Sequence, residues 1–175
     1  MEEKTLFSAS QIDRRVSEIA REVRAEFAGS ESRSAFLWLE AGAKNFAEAL
    51  LKKTALDIPM VSIKVSSYGN SKKSSGVVKI ERGEEALGPL RGKKVLLIDD
   101  ILDTGATAKF VSERLRQIGA AEIKTCFLLN KTSSNKGSVK PDFCGFEVGD
   151  KFLFGFGLDL NGGQRELPCI KYLAE

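Results

Sequence analysis

Apolar residues recur along this chain at two different periods, and the switches between them mark its elements. After Ser8, residues Ile12, Val16, Ile19, Val23 and Phe27 stand three or four apart. That spacing predicts an amphipathic helix opened by a Ser8/Gln11 capping box and ending near Gly29. Ala35-Phe36-Leu37-Trp38-Leu39 is a continuous apolar run of the kind buried in a sheet. Glu40-Ala41-Gly42 then reads as a turn, and a helix follows with Phe46, Ala49 and Leu50 on one face. Residues 60–65 alternate weakly as a further strand, and a turn is expected around Gly88-Pro89. Val95-Leu96-Leu97-Ile98 is again a buried-strand run, ended by Asp99-Asp100. From Ala106 the positions Ala108, Val111, Leu115 and Ile118 follow helical spacing, Gly119 stops the helix, and residues 123–129 form the next strand. This is a βαβ unit, whose crossover should be right-handed. Residues 143–148 and 152–156 read as two further short strands joined by Gly149-Asp150.

No repeat or linker divides the 175 residues, so one domain spanning 1–175 is expected. The chain has no histidine, which excludes Ser-His-Asp and Cys-His catalysis and the usual His-containing zinc sites. Any metal must be held mostly by oxygen. Cys126, Cys144 and Cys169 are far apart and odd in number, as reduced thiols of a cytoplasmic protein would be. No apolar run approaches the roughly 20 residues of a membrane span, and the start of the chain lacks a signal peptide. A soluble protein is expected, without a membrane partner. A net charge of +3 is too small to argue for nucleic-acid binding, and none is expected.

Ligands of open α/β sheets collect at the carboxyl ends of strands, and there the chain carries Asp99-Asp100-Ile101-Leu102-Asp103-Thr104-Gly105-Ala106-Thr107. Residues 103–107 lie between strand and helix, so their backbone N–H groups, the Thr hydroxyls and the helix N-terminus suit a phosphate monoester. Asp99 and Asp100 suit vicinal sugar hydroxyls or Mg²⁺. Together they describe a sugar phosphate. Three other readings compete: Asp103 as a mere helix N-cap among solvated carboxylates, the Asp-Thr-Gly of an aspartic protease, and the acidic pair of a receiver domain. The protease reading needs β-structure where helix follows, and the receiver has no use for Asp-Thr-Gly-x-Thr.

The segment 95–107, VLLIDDILDTGAT, resembles the signature of type I phosphoribosyltransferases, which bind 5-phosphoribosyl-1-pyrophosphate. Ser67-Tyr68, Lys131, the stretch 141–152, Asp159 and Arg165 are similar to the hypoxanthine-guanine branch. The resemblance covers the chain from about Ala35 onward. It implies an α/β fold with a central, mostly parallel sheet flanked by helices and a small hood from the terminal segments. It implies phosphoribosyl transfer to a 6-oxopurine in purine salvage, with Mg²⁺, in a dimer or tetramer. By resemblance, Asp99 and Asp100 bind ribose hydroxyls and metal, and Asp103 accepts the purine proton. Thr104, Gly105, Ala106 and Thr107 cradle the 5'-phosphate. Lys131 reaches purine O6, Phe152 stacks on the base and the Leu153 backbone reads its exocyclic edge. Asp159 holds a second Mg²⁺ and Arg165 contacts pyrophosphate. The polar stretch 66–76 becomes a lid in which Ser67 and Tyr68 close over the site and exclude water.

Two departures stand out. Where the family has Leu-Lys-Gly, this chain has Leu39-Glu40-Ala41-Gly42, a carboxylate in place of a cation. Ala41 and Gly42 are expected to bind pyrophosphate through backbone amides while Glu40 points away. Asn161-Gly162-Gly163-Gln164 replaces acidic and aromatic residues, and its glycines predict a looser loop. The alternative from another class is a ligand-sensing regulator on the same fold, and a pyrimidine phosphoribosyltransferase is a further one.

Overall fold

The computed structural model describes residues 2–68 and 77–174. Its centre is a six-stranded sheet in the order β4-β3-β2-β5-β6-β7. The strands are β2 (Ser34–Glu40), β3 (Met60–Tyr68), β4 (Val77–Arg82), β5 (Lys94–Leu102), β6 (Glu122–Lys131) and β7 (Phe143–Val148). All neighbours run parallel except β3 and β4. Helices α1 (Ala9–Phe27) and α2 (Lys44–Thr54) pack on one face, and α3 (Ala106–Ile118) with a 3-10 segment, Glu84–Leu90, covers the other.

Burial on both faces explains the unbroken apolar runs. Phe36, Leu96 and Ile98 enter the cluster under α1 and α2, whereas Leu37, Val95 and Leu97 enter the one under α3. A half-solvated sheet would have alternated. The predicted capping box at Ser8 is present in both directions, and Gly119 ends α3 in the left-handed conformation.

A second, antiparallel sheet forms the hood, in the order β1-β9-β8, from β1 (Glu2–Phe7), β8 (Leu153–Phe154) and β9 (Ile170–Ala174). The strands expected at 143–148 and 152–156 therefore do not pair with each other: β7 closes the edge of the main sheet and β8 belongs to the hood. The second is also shorter than expected, because Gly155 and Phe156 both take positive φ and turn the chain out of the strand. The expected turn at Gly88-Pro89 lies inside the 3-10 segment. Asp99 and Asp100 do not end β5, which continues to Leu102 with Asp99 opposite Phe127 and Ile101 opposite Leu129. The hydrogen-bond ladder runs past the two carboxylates to apolar Ile101 and Leu102.

Candidate functional site

The carboxyl ends of β2, β5 and β6 bring the expected residues to one edge of the sheet. Asp99, Ile101 and residues 102–108 line a cavity of about 200 Å³ closed at the back by buried Phe127. The loop from Asp103 to Gly105 leads into α3, whose first N–H groups have no intrahelical acceptor. Gly105 occupies the helix cap at φ 87°, and a Cβ there would lie 2.7 Å from Ser138 Oγ. Only glycine fits this approach. Thr104 Oγ1 accepts from the Ala106 N–H at 3.3 Å, which sets the turn into the helix.

Asp99 Oδ1 accepts from the Asp100 N–H (2.9 Å) and Asp100 Oδ1 from the Ile101 N–H (2.8 Å). Burial, reinforced by the neighbouring Asp100 charge, holds the Asp99 carboxyl well above the usual carboxylate range. Burial raises Asp100 as well, against the hydrogen bonds it accepts. Two crowded carboxylates of this kind favour a cationic or hydroxyl-bearing ligand.

Lys131, at the end of β6, directs its ammonium to Asp103 Oδ2 at 3.4 Å. The lysine side chain is 14% exposed and the aspartate 49%, so the charged lysine is set into the wall and the carboxylate faces outward. The Lys131 side chain is thus not freely solvated. Phe152 is 56% exposed, one of two large apolar side chains so exposed among the described residues, and Leu153 follows it in the edge strand of the hood. A free ring face and an open strand edge are what stacking on a base and reading its rim require.

The Glu40-Ala41-Gly42 turn sits at the end of β2, with a cis peptide bond between Glu40 and Ala41. Glu40 does point away from the turn: its carboxylate accepts from Ser62 Oγ at 2.6 Å and from the Arg82 guanidinium, joining β2 to β3 and β4. Those two bonds hold its carboxyl below the usual range. Gly42 lies so close to Asp100 that a Cβ on it would fall 1.8 Å from Asp100 Oδ2.

The hood delivers the last residues. Arg165 donates to the Gly157 carbonyl, lies 3.5 Å from Asp159 Oδ1, and offers its own carbonyl to Gly157 N and Asn45 Nδ2. Asp159 Oδ1 is buried without a hydrogen-bond donor. The Asn161-Gly162 segment is not loose. Leu160 and Gly163 exchange both backbone hydrogen bonds at 3.0 Å, and Asn161 and Gly162 have φ 51° and 84°, a tight type I' turn. Asp159 Oδ2 caps it through the Gly162 N–H.

Ser67 and Tyr68 end β3, paired in register with Val78 and Val77. Residues 69–76 of the expected lid lie outside the described residues. Four residues near the site were not foreseen: Arg82, Asn130, Asn135 and Ser138. Each is an unremarkable polar residue in sequence and acquires its neighbours only through the fold.

The phosphoribosyl transferase domain family matches residues 4–161 of the chain. The chain is 38% identical to the hypoxanthine-guanine phosphoribosyltransferase of Aquifex aeolicus over 98% of its length and 94% of the relative's. It is 37% identical to the Bacillus subtilis enzyme of the same name, over 98% and 93%. Among solved structures, a hypoxanthine-guanine phosphoribosyltransferase from Bacillus anthracis superposes with a TM-score of 0.88 at 29% identity, covering 98% of both chains. A hypoxanthine phosphoribosyltransferase from Staphylococcus aureus gives the same score at 26% identity, over 98% and 91%.

Proposed function

The chain belongs to the phosphoribosyl transferase family, and on that footing we propose that it transfers a phosphoribosyl group from 5-phosphoribosyl-1-pyrophosphate to hypoxanthine or guanine. The products are the nucleoside monophosphate and pyrophosphate. The observation that carries the proposal is Lys131 set beside Asp103 at the mouth of the phosphate cavity, a donor for a 6-oxo group next to a proton acceptor. The relatives named above are hypoxanthine-guanine phosphoribosyltransferases, which supports the enzyme over the sensing regulator.

The residues divide the work. The N–H groups and hydroxyls from Thr104 to Thr107 hold the 5'-phosphate, and Asp99 and Asp100 hold the ribose hydroxyls. The Ala41 and Gly42 amides and Arg165 receive the pyrophosphate. As the bond from ribose C1 to the pyrophosphate oxygen breaks and that from C1 to the purine nitrogen forms, the carbon gains positive charge. Asp103 takes the proton the purine loses, and the Lys131 ammonium donates to its 6-oxo group. Phe152 and the Leu153 backbone orient the ring, and Ser67 and Tyr68 shield the reacting carbon from water.

Mg²⁺ fits the donors present. Asp99 and Asp100 are oxygen ligands whose burial disfavours bare charge, and the buried Asp159 Oδ1 lacks a hydrogen-bond donor. Asp99 and Asp100 would hold one ion and Asp159 a second, since no three carboxylates come together among the described residues, and the ions when bound would neutralise charge gathering on pyrophosphate. We take residues 1–175 as one phosphoribosyltransferase domain that works in the cytoplasm as a dimer or tetramer. No helix among the described residues is long and apolar enough to cross a membrane.

The test is turnover of the pyrophosphate donor with Mg²⁺ and each of hypoxanthine, guanine, xanthine, adenine, uracil and orotate. Conversion of a 6-oxopurine, reduced about 10²- to 10⁴-fold by Asp103→Asn with little change in binding, is expected. Absence of turnover with both hypoxanthine and guanine would refute the proposal.

A further inference from the structure

We infer that Asn135 and Ser138 form a positioning strut that aims the phosphate loop and ties it to the strand end carrying Lys131. This rests on the phosphoribosyl-transfer reading and adds residues outside its motifs. Ser138 Oγ lies 2.8 Å from the Thr104 carbonyl oxygen. Carbonyl and N–H point to opposite sides of a trans peptide unit, so holding the Thr104 carbonyl toward Ser138 turns the Gly105 N–H the other way. Thr104 and Gly105 line the phosphate cavity, and Ser138 does not. The strut therefore fixes the direction of a phosphate-binding donor from behind. The contact is close, since a Cβ on Gly105 would meet both Ser138 Oγ (2.7 Å) and Val139 Cγ2 (2.8 Å).

Asn135 anchors Ser138, and its own orientation is unambiguous. The Val139 N–H can only donate and reaches Asn135 Oδ1 at 3.0 Å, while the Val139 carbonyl can only accept and takes Nδ2 at 2.8 Å. The same Oδ1 lies 2.8 Å from Ser138 Oγ, and the same Nδ2 donates to Asn130 Oδ1 at 3.2 Å. One hydroxyl proton cannot serve both the Thr104 carbonyl and Asn135 Oδ1 at once; with the hydroxyl donating to Thr104, Ser138 stays tied to Asn135 through its backbone N–H, which donates to the Asn135 carbonyl at 2.8 Å. Both asparagines are buried, where a broken bond leaves a polar group unsatisfied. Asn130 immediately precedes Lys131 in β6, which completes the chain of contacts from the phosphate loop to the lysine beside Asp103.

The experiment compares the full chain with Ser138→Ala and Asn135→Ala in steady-state turnover, thermal melting and calorimetric binding of ribose 5-phosphate. That probe carries the phosphate without base or pyrophosphate. Loss of one hydrogen bond of ordinary net strength should raise the donor KM, and the Kd for ribose 5-phosphate, about fivefold in Ser138→Ala. The purine KM should stay at its wild-type value, and the melting temperature should fall only slightly, as for loss of one exposed hydrogen bond. Asn135→Ala, which cuts both branches, should raise the donor and purine KM together. A donor KM in Ser138→Ala within twofold of wild type overturns the inference. So does an equal rise in both KM values accompanied by a markedly lower melting temperature, which marks a general loss of stability. If the wild-type chain turns over no purine, the proposed reaction fails, and ribose 5-phosphate binding still decides for or against the strut.

Discussion

Gly42→Ala is the substitution for which the structure gives the sharpest number. A methyl group there would lie 1.8 Å from Asp100 Oδ2 and 2.8 Å from Asp100 Cγ, where ordinary contact begins near 3.4 Å. Something must move by roughly 1.6 Å. Asp100 is poorly free to yield, because it stands in β5 between β2 and β6 and accepts the Ile101 N–H at 2.8 Å. The movement therefore falls on the turn expected to hold pyrophosphate, or on the rotamer of the carboxylate expected to hold the ribose. Misplacing a binding group by about 1 Å costs on the order of 100-fold in rate. That corresponds to about 2.7 kcal/mol of transition-state stabilisation. Gly42 does not need a positive φ, so the collision acts without added backbone strain. We expect kcat/KM to fall about 100-fold with a circular dichroism spectrum indistinguishable from wild type. Gly88→Ala is the control, since a Cβ there meets nothing within 4 Å. A folded Gly42→Ala enzyme within threefold of wild-type kcat/KM would show that the turn and Asp100 do not need their present spacing.

Lys131→Gln should raise the purine KM more than the donor KM; an unchanged purine KM in steady-state kinetics would assign Lys131 to structure alone. Glu40→Lys should not restore a missing pyrophosphate contact, because the new ammonium would lose Ser62 and face Arg82, with Lys64 also near. Its melting temperature should drop and its kcat/KM should not rise, and a gain in kcat/KM would refute that account. Glu26 is held below the usual carboxylate range chiefly by its hydrogen bond from Lys94. A lowered folded-state pKa means stability present above the ordinary carboxylate value and lost as pH falls through the lowered one. Thermal melts should therefore show Glu26→Gln less stable than wild type at pH 7, with the gap closing in acid; a gap that persists there contradicts the ion pair as its cause.

The parts of the fold legible in sequence were those whose stabilising contacts lie on both faces of a central strand. β2, β5 and β6 announce themselves because their central residues, on both faces, meet apolar neighbours. β1 and β9 do not: Glu2-Glu3-Lys4-Thr5 has no apolar period, and it becomes strand because residues 170–174, from the far end of the chain, supply the ladder. Sheet membership is equally nonlocal, and nothing around Gly149-Asp150 tells that β7 and β8 part company. In the site, the loop from Asp103 into α3 was readable because one contiguous segment supplies strand end, turn and helix start. The Glu40 to Arg82 pair spans 42 positions, and Ser138 reaches Thr104 across 34. Spacings of that size leave no pattern in a single sequence.

The same nonlocality explains where the site tolerates least change. Gly42, from the turn after β2, is pressed against Asp100 of β5, and Gly157, from the hood, is pressed against Gly42, since a Cβ on it would lie 2.2 Å from the Gly42 carbonyl oxygen. Gly157 also has φ 100°, a conformation in which a side chain is strained even without a neighbour. Arg165 bonds to Gly157 through both its guanidinium and its carbonyl, and Asn45 of α2 holds that carbonyl too. Three segments distant in sequence thus meet glycine against backbone or against the Asp100 carboxylate, with no room for an added side chain at either glycine. Such contacts position groups more tightly than a flexible lysine could. The turn proposed to bind pyrophosphate through its amides would therefore not need a cation at position 40, provided that the hood keeps Gly157 seated on Gly42.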